Sequence, residues 1–291
     1  MHDFVFHNDQ LLPLAQVRLS PGQAGLLSGW GLFTTVRVNE GVPFAFERHW
    51  ERLRRDADRV QVQLPFDAAA VLDRVRQVIA ANRVQSGCVR VYFVRNRDSL
   101  WQSDERLPPV DLLIYSIDLP ARVGPIQLTV MPHARHASNP LAGTKVTAWL
   151  NNVWHLEQAH RRGFEEALLL NERDEVAECT AANLFCIAGS TATTPPPSSG
   201  CLLGVTREIL LEIAPKAGIR ALERSLSLAE VLAADEVFIT STTRNVQPVR
   251  RIDQTSFSEA PGRLTERLAR LFSDHVNDYV GARKGTAGSH P

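Results

Sequence analysis

The chain is short of lysine: its 291 residues include 29 arginines but only three lysines, Lys145, Lys216 and Lys284. A GC-rich genome would be the plain cause of such a bias. Even so, where positive charge is otherwise written as arginine, a lysine can persist because a primary amine is needed, which a guanidinium cannot supply. Cysteine is sparse too. The four present, Cys88, Cys179, Cys186 and Cys201, show no C-x-x-C spacing, which excludes a disulfide scaffold and reads as small hydrophobes with no metal site. No run of eighteen apolar residues occurs, and Met1 to Asn8 contains neither a basic nor an apolar leader segment. No membrane partner is therefore expected, and the expected location is cytoplasmic. An excess of one charge is also missing: 32 basic residues balance 32 acidic ones, which argues against nucleic acid as a partner.

What is present is an ordinary globular composition, 44% hydrophobic and 22% charged, with length for one large domain or two smaller ones. Strand-like segments at 3–7 and 31–38 lead through the turn Asn39-Glu40-Gly41 into a second strand from Val42. From Glu47 the period lengthens to that of a helix, with Trp50, Leu53, Ala57 and Val60 on one stripe. A second helix follows Asp67 as N-cap, with Val71, Leu72, Val75, Val78 and Ile79 inward. Strands at 88–95 and 110–117 complete an α+β domain over 1–118. The prolines and glycine of 119–125 suit a linker.

A larger mixed-sheet domain is expected over 126–283, with strands at 126–132, 166–171, 183–187, 219–223 and 236–240. Its helices are expected at 146–162, from Thr206, and over 261–281. Thr194 to Gly200 reads as a surface loop, and 284–291 as a disordered tail. Neither half has the regular alternation of a doubly wound sheet.

Four places could carry chemistry. Lys145 sits at the expected join of a polar loop and an apolar helix, where partial burial would lower its pKa below the ordinary value of about 10.4 and favour Schiff-base formation. A lysine snorkelling at a helix start is the plain alternative. Glu178 is an acidic residue in an otherwise small and apolar strand-loop-strand. It is suited either to the protonated ring nitrogen of a heterocyclic cofactor or to a salt bridge with one of the many arginines. Leu203-Gly204-Val205-Thr206 puts glycine immediately before a helix start, where free N–H groups and the helix dipole form an anion cup or merely an ordinary cap. Thr240 to Thr243 offers hydroxyls at the end of a strand. Periodicity alone puts Arg52 on a solvated helix face.

Together these pieces resemble the fold-type IV, or class IV, pyridoxal-phosphate enzymes: branched-chain and D-amino acid aminotransferases and aminodeoxychorismate lyases. The resemblance covers about 3 to 252. It rests on Glu178-Cys-Thr-Ala-Ala-Asn183-Leu-Phe185, Leu203-Gly-Val-Thr-Arg207, Phe238-Ile-Thr-Ser-Thr-Thr243 with Gln247-Pro248-Val249, Gly163 to Leu170, and His49-Trp50-Glu51-Arg52-Leu53. It implies a two-domain fold and pyridoxal 5'-phosphate as cofactor. Lys145 falls at the family's cofactor-linked lysine and Glu178 at the carboxylate that contacts the pyridine nitrogen. Arg52, Val205, Thr206, Ser241 and Thr242 fall around the phosphate, and Leu202 against the ring. Phe33, Arg90, Trp30 and Thr243 fall near the substrate.

The sequence departs from the family pattern in several places. Gly29-Trp30-Gly31 stands where relatives have Gly-Asp-Gly, Ala148 and Leu150 replace a common Asn and Tyr, and 96–101 lacks the Arg-x-His of the D-amino acid enzymes. The resemblance implies an aminotransferase working between an amino donor and a 2-oxo acid acceptor, assembled as a homodimer. Phe33-Thr34-Thr35 leans toward the lyase that makes 4-aminobenzoate and pyruvate, and a non-catalytic binder of a phosphorylated metabolite is a third possibility.

Overall fold

β-Branched and aromatic residues dominate the strand-forming segments of the first half, and in the computed structural model, which describes residues 1–97, 107–119 and 124–287, they pair into a six-stranded antiparallel sheet. Its strands are β1 (Phe4–His7), β2 (Gln10–Pro13), β3 (Gly31–Asn39), β4 (Val42–Pro43), β5 (Ser86–Arg95) and β6 (Val110–Ile117), in spatial order β2-β1-β6-β5-β3-β4. A short α1 (Ala24–Ser28) precedes β3, and α2 (Phe46–Val60) and α3 (Ala68–Ala81) follow β4.

Side chains alternate between the sheet faces. Leu32, Val36, Val89, Phe93 and Ile114 pack against Trp50, Leu53, Ala57, Val71, Val75 and Val78 of the helices in one core. Each valine, leucine, isoleucine or phenylalanine among them contributes about 1.5–3 kcal/mol when fully buried. The Asp67 carboxylate accepts from Ala70 N at 2.8 Å, capping α3 as its sequence predicts. The register that aligns Phe33 with Tyr92 and Thr35 with Arg90 leaves these residues on the face away from that core.

The second sheet mixes parallel and antiparallel pairs, in the order β12-β11-β10-β13-β14-β7-β8-β9 with β15 added to β14. These are β7 (Ile126–Met131), β8 (Glu166–Leu170), β9 (Val176–Cys179), β10 (Asn183–Ala188), β11 (Thr191–Thr194), β12 (Arg220–Glu223), β13 (Glu236–Ser241), β14 (Asn245–Ile252) and β15 (Thr255–Ser256). The helices between and after them are α4 (Leu150–Arg161), α5 (Val205–Ile213), α6 (Leu228–Leu232) and α7 (Arg263–Ala287). Leu128, Leu168, Val176, Leu184, Val237 and Ile239 form its main core. Among the described residues no helix is long and apolar enough to cross a membrane.

Chain contacts divide the molecule into one unit of Met1–Pro120, Thr144–Trp149 and Asn277–Pro291, and another of Ala121–Gly143 and Leu150–Val276. The segment around Lys145 and the end of α7 thus count with the first unit, whereas the sequence assigns both to the second domain. Most of the expected linker, 120–123, lies outside the described residues, as do 98–106 and the last four residues of the expected tail. The helix expected to stop near 281 runs to Ala287, and Lys284, expected in a disordered tail, pairs its amine with Glu40.

The stretch from Thr194 to Gly200 is less exposed than a surface loop. Thr194 and Ser199 are buried, Arg207 donates to the Pro195 carbonyl at 2.7 Å, and Asn171 donates to the Ser199 carbonyl at 3.2 Å. Proline content marks the irregular backbone there but says nothing of what covers it.

Candidate active site

Lys145 belongs to an extended segment, not to a helix start. Phe33 N donates to the Lys145 carbonyl at 3.1 Å, Thr147 N to the Gly31 carbonyl at 2.9 Å, and the Thr147 hydroxyl to the Gly29 carbonyl at 2.7 Å. Val146 bridges to Leu32. The helix that apolar periodicity would start at 146 therefore begins at Leu150, because β3 takes up the backbone groups of the preceding residues. The Lys145 N–H is held from below by a buried carboxylate, Asp56 Oδ2 on α2, at 3.1 Å. Burial raises the pKa of Asp56, against the lowering effect of that bond and of the nearby arginines.

With its main chain pinned at several points, Lys145 presents its amine 4.5 Å from the Phe33 ring centre and 5.8 Å from that of Trp149. Phe33 stacks on Tyr92 at 5.0 Å, and Tyr92 stacks on Tyr115 at 5.7 Å. Arg90 reaches the Tyr92 hydroxyl at 3.3 Å, and its buried Nε has no hydrogen-bond partner among the described residues. Lys145, Phe33 and Arg90 are thus served by one sheet face. Trp30 is not. Its indole N–H donates to the Val60 carbonyl at 2.8 Å, Arg95 covers its ring at 4.0 Å, and it packs against the core.

Arg52 is 6% exposed, so the solvated face suggested by periodicity is wrong. His49, Trp50, Arg52, Leu53, Asp56, Ala57 and Val60 are all buried, an arc wider than the single stripe through Trp50, Leu53, Ala57 and Val60, with Arg52 at its edge. The guanidinium donates to the Thr34 hydroxyl at 2.9 Å.

In the second unit, Glu178 lies near the end of the buried strand β9 and its two oxygens have separate partners. Arg135 Nε donates to Oε1 at 3.1 Å and Leu202 N to Oε2 at 3.0 Å. Both sequence readings of Glu178 therefore remain chemically compatible. A carboxylate has about four acceptor positions, so an arginine and a backbone N–H leave capacity for a further N–H. Arg135 went unnoticed in the sequence, where it is one arginine among many.

The Leu202 carbonyl accepts from Asn183 Nδ2 at 2.8 Å, and a Cβ at Gly204 would lie 2.1 Å from Asn183 Oδ1. Gly204 is the N-cap of α5 and supplies no side-chain cap, so the first-turn N–H groups are left to other acceptors. Thr206 is buried in that turn. Asn183 pairs in register with Thr240, whose buried hydroxyl has no hydrogen-bond partner among the described residues. Ser241 and Thr243 exchange a hydroxyl contact at 3.3 Å across the turn that contains Thr242.

A carboxylate, an uncapped helix start and an unpaired buried hydroxyl along one stretch of the second unit fit a heterocycle bearing a phosphate. Arg207, though part of the same motif, is absorbed structurally by the Pro195 carbonyl and Glu223. Arg244 likewise pairs with the fully buried Glu166 at 2.9 Å.

The amino-transferase class IV family profile matches residues 31–252. The chain is 26% identical to a branched-chain-amino-acid aminotransferase of Pseudomonas aeruginosa, over 87% of this chain and 86% of that one. It is 25% identical to an aminodeoxychorismate lyase of Bacillus subtilis, over 97% and 98%. Among solved structures, a branched-chain aminotransferase from Thermoproteus uzoniensis matches with a TM-score of 0.87 and 26% identity, over 95% of both chains.

Proposed function

This chain belongs to the class IV aminotransferase family, and on that premise we propose that it uses pyridoxal 5'-phosphate to move an amino group from an amino acid or amine to a 2-oxo acid. The observation that carries the reading is the fixed backbone of Lys145, which delivers a primary amine beside the Phe33 ring in a protein that otherwise uses arginine. The cofactor, when bound, supplies an electron sink for the pair left behind when a substrate α-proton departs.

Lys145 Nζ would take up that proton as general base and give it back as general acid to the carbon on the far side of the transferred nitrogen. Such positioned transfer contributes roughly 10²- to 10⁴-fold in rate. The Glu178 carboxylate, oriented by Arg135 and Leu202 N, holds a proton on the ring nitrogen. Arg52, the N–H groups of Val205 and Thr206, and the hydroxyls of Ser241 and Thr242 bind the phosphate. Leu202 packs on the ring, Arg90 takes a substrate carboxylate, and Phe33 and Thr243 line the substrate. Trp30 contributes through packing.

A homodimer is the proposed assembly. Leu26 at 62% exposed in the first unit, and Leu150 at 80% with Trp154 in the second, are apolar surface suited to burial against another copy. The four free, buried cysteines fit a reducing, cytoplasmic setting.

The second reading, cleavage of 4-amino-4-deoxychorismate, draws on Phe33-Thr34-Thr35 and on the Bacillus relative. A half-reaction separates the two. For a transaminase, an amino donor supplied without an acceptor bleaches the visible absorbance of the loaded enzyme, and a 2-oxo acid restores it. Release of 4-aminobenzoate with no bleaching by any donor would make the lyase the function.

A further inference from the structure

Behind Arg52 lies a short chain of buried polar groups. His49 and Arg52 sit one helical turn apart on α2 and converge on Thr34 of β3. The Thr34 hydroxyl is 2.9 Å from His49 Nδ1 and accepts from Arg52 Nη2, also at 2.9 Å. Nη2 additionally approaches Nδ1 to 3.5 Å. A guanidinium only donates, so a donor facing Nδ1 places the imidazole proton on Nε2 and leaves Nδ1 as an acceptor. Thr34 then has one consistent arrangement, donating to His49 and accepting from Arg52.

The imidazole is suited to that part. Burial first, and then the charges of Arg52 and Lys145, push His49 well below its ordinary pKa, so it stays neutral. All three side chains are buried. A valine would fill position 34 of the strand equally well, and burying a hydroxyl is costly unless it is bonded on both sides. Here both bonds are directed toward orienting one guanidinium.

We propose that Thr34 and His49 are positioning residues for Arg52, fixing the rotation of its guanidinium so that it meets a ligand phosphate in one geometry. The proposal rests on the reading of Arg52 as a phosphate-binding residue. An arginine side chain has much rotamer freedom to lose, and ordering it beforehand removes that cost from binding.

The test titrates the full-length protein, freed of cofactor, with pyridoxal 5'-phosphate and with pyridoxal, which lacks the phosphate. Thr34→Val is expected to weaken pyridoxal 5'-phosphate binding about tenfold, the size of one lost charge-assisted hydrogen bond, and to leave pyridoxal binding unchanged. Thr34→Ser keeps the hydroxyl and should recover most of the loss. Should the valine variant fail to fold, Thr34→Ala is read on the same ratio of affinities. Equal weakening toward both ligands, or a serine variant no better than valine, would make Thr34 a packing residue and overturn the proposal. Arg52→Gln tests the underlying reading separately. If it keeps the preference for the phosphorylated ligand, Arg52 is not the phosphate residue; if it loses that preference while Thr34→Val retains it, only the positioning role falls.

Discussion

The two units hold their polar groups by different means. In the first, side chains hold side chains or clamp a loop: Thr34 and His49 support Arg52, and the Asp56 carboxylate holds the backbone of Lys145. In the second, much of the cup is backbone: the uncapped start of α5, the Leu202 N–H on Glu178 and the Leu202 carbonyl on Asn183. A side-chain network is sensitive to which residue is present. A backbone cup tolerates changes of side chain but not added bulk, which is why glycine stands at 204.

The largest expected effect comes from Glu178, where the second unit does depend on side chains. Glu178→Ala leaves Arg135 with an uncompensated, mostly buried charge and Leu202 N without its acceptor, and should lower stability by about 3 kcal/mol in denaturant unfolding. Glu178→Gln keeps an acceptor for Leu202 N and should lose clearly less stability, while still failing to hold a proton on a ring nitrogen. If the two variants lose equal stability, the carboxylate's hydrogen bonds are not what matters.

Next comes Gly204→Ala. Its methyl would displace Asn183 Oδ1 and break the Asn183 bond to Leu202, a packing cost of about 1–3 kcal/mol, whereas Thr206→Ala should change folding little because α5 has no side-chain cap to lose. A Gly204→Ala protein as stable as the parent would show that the close approach is not required.

The smallest effect concerns His49. Its folded-state pKa lies below the unfolded value of about 6.5, so the unfolded chain takes up a proton first. The stability contributed by neutral His49 is complete above about pH 6.5 and is lost as pH falls toward the folded value, by at most about 1.4 kcal/mol per pH unit. His49→Gln should flatten that part of the stability profile. His155, shifted the same way by burial, keeps its share in the variant. An unchanged slope between pH 6.5 and 5 would mean that His49 is protonated in the folded protein.

The same contrast explains what could be read from sequence. The helical stripe of α2 and the Asp67 cap are local patterns, and they appear where expected. The glycine before α5 is local as well. Lys145 stood out by rarity, but its extended backbone did not, because the partner of Thr147 is Gly29, 118 positions away, and Val146, Trp149, Leu150 and Val153 recur at helical spacing. His49, Thr34 and Arg135 gave no separate signal: each is an ordinary residue for its element, and its role arises only when two distant segments meet. Trp30 is placed near the substrate only by the resemblance, where relatives have the Asp of Gly-Asp-Gly, and nothing local announces that its indole N–H donates to the Val60 carbonyl.

The central claim is that the amine of Lys145 is the group that bonds the cofactor. Borohydride reduction of the loaded protein, followed by peptide mapping, tests it most directly. The account predicts a single pyridoxyl label on Lys145, absent in Lys145→Ala; a label on Lys216 or Lys284, or none, would contradict it.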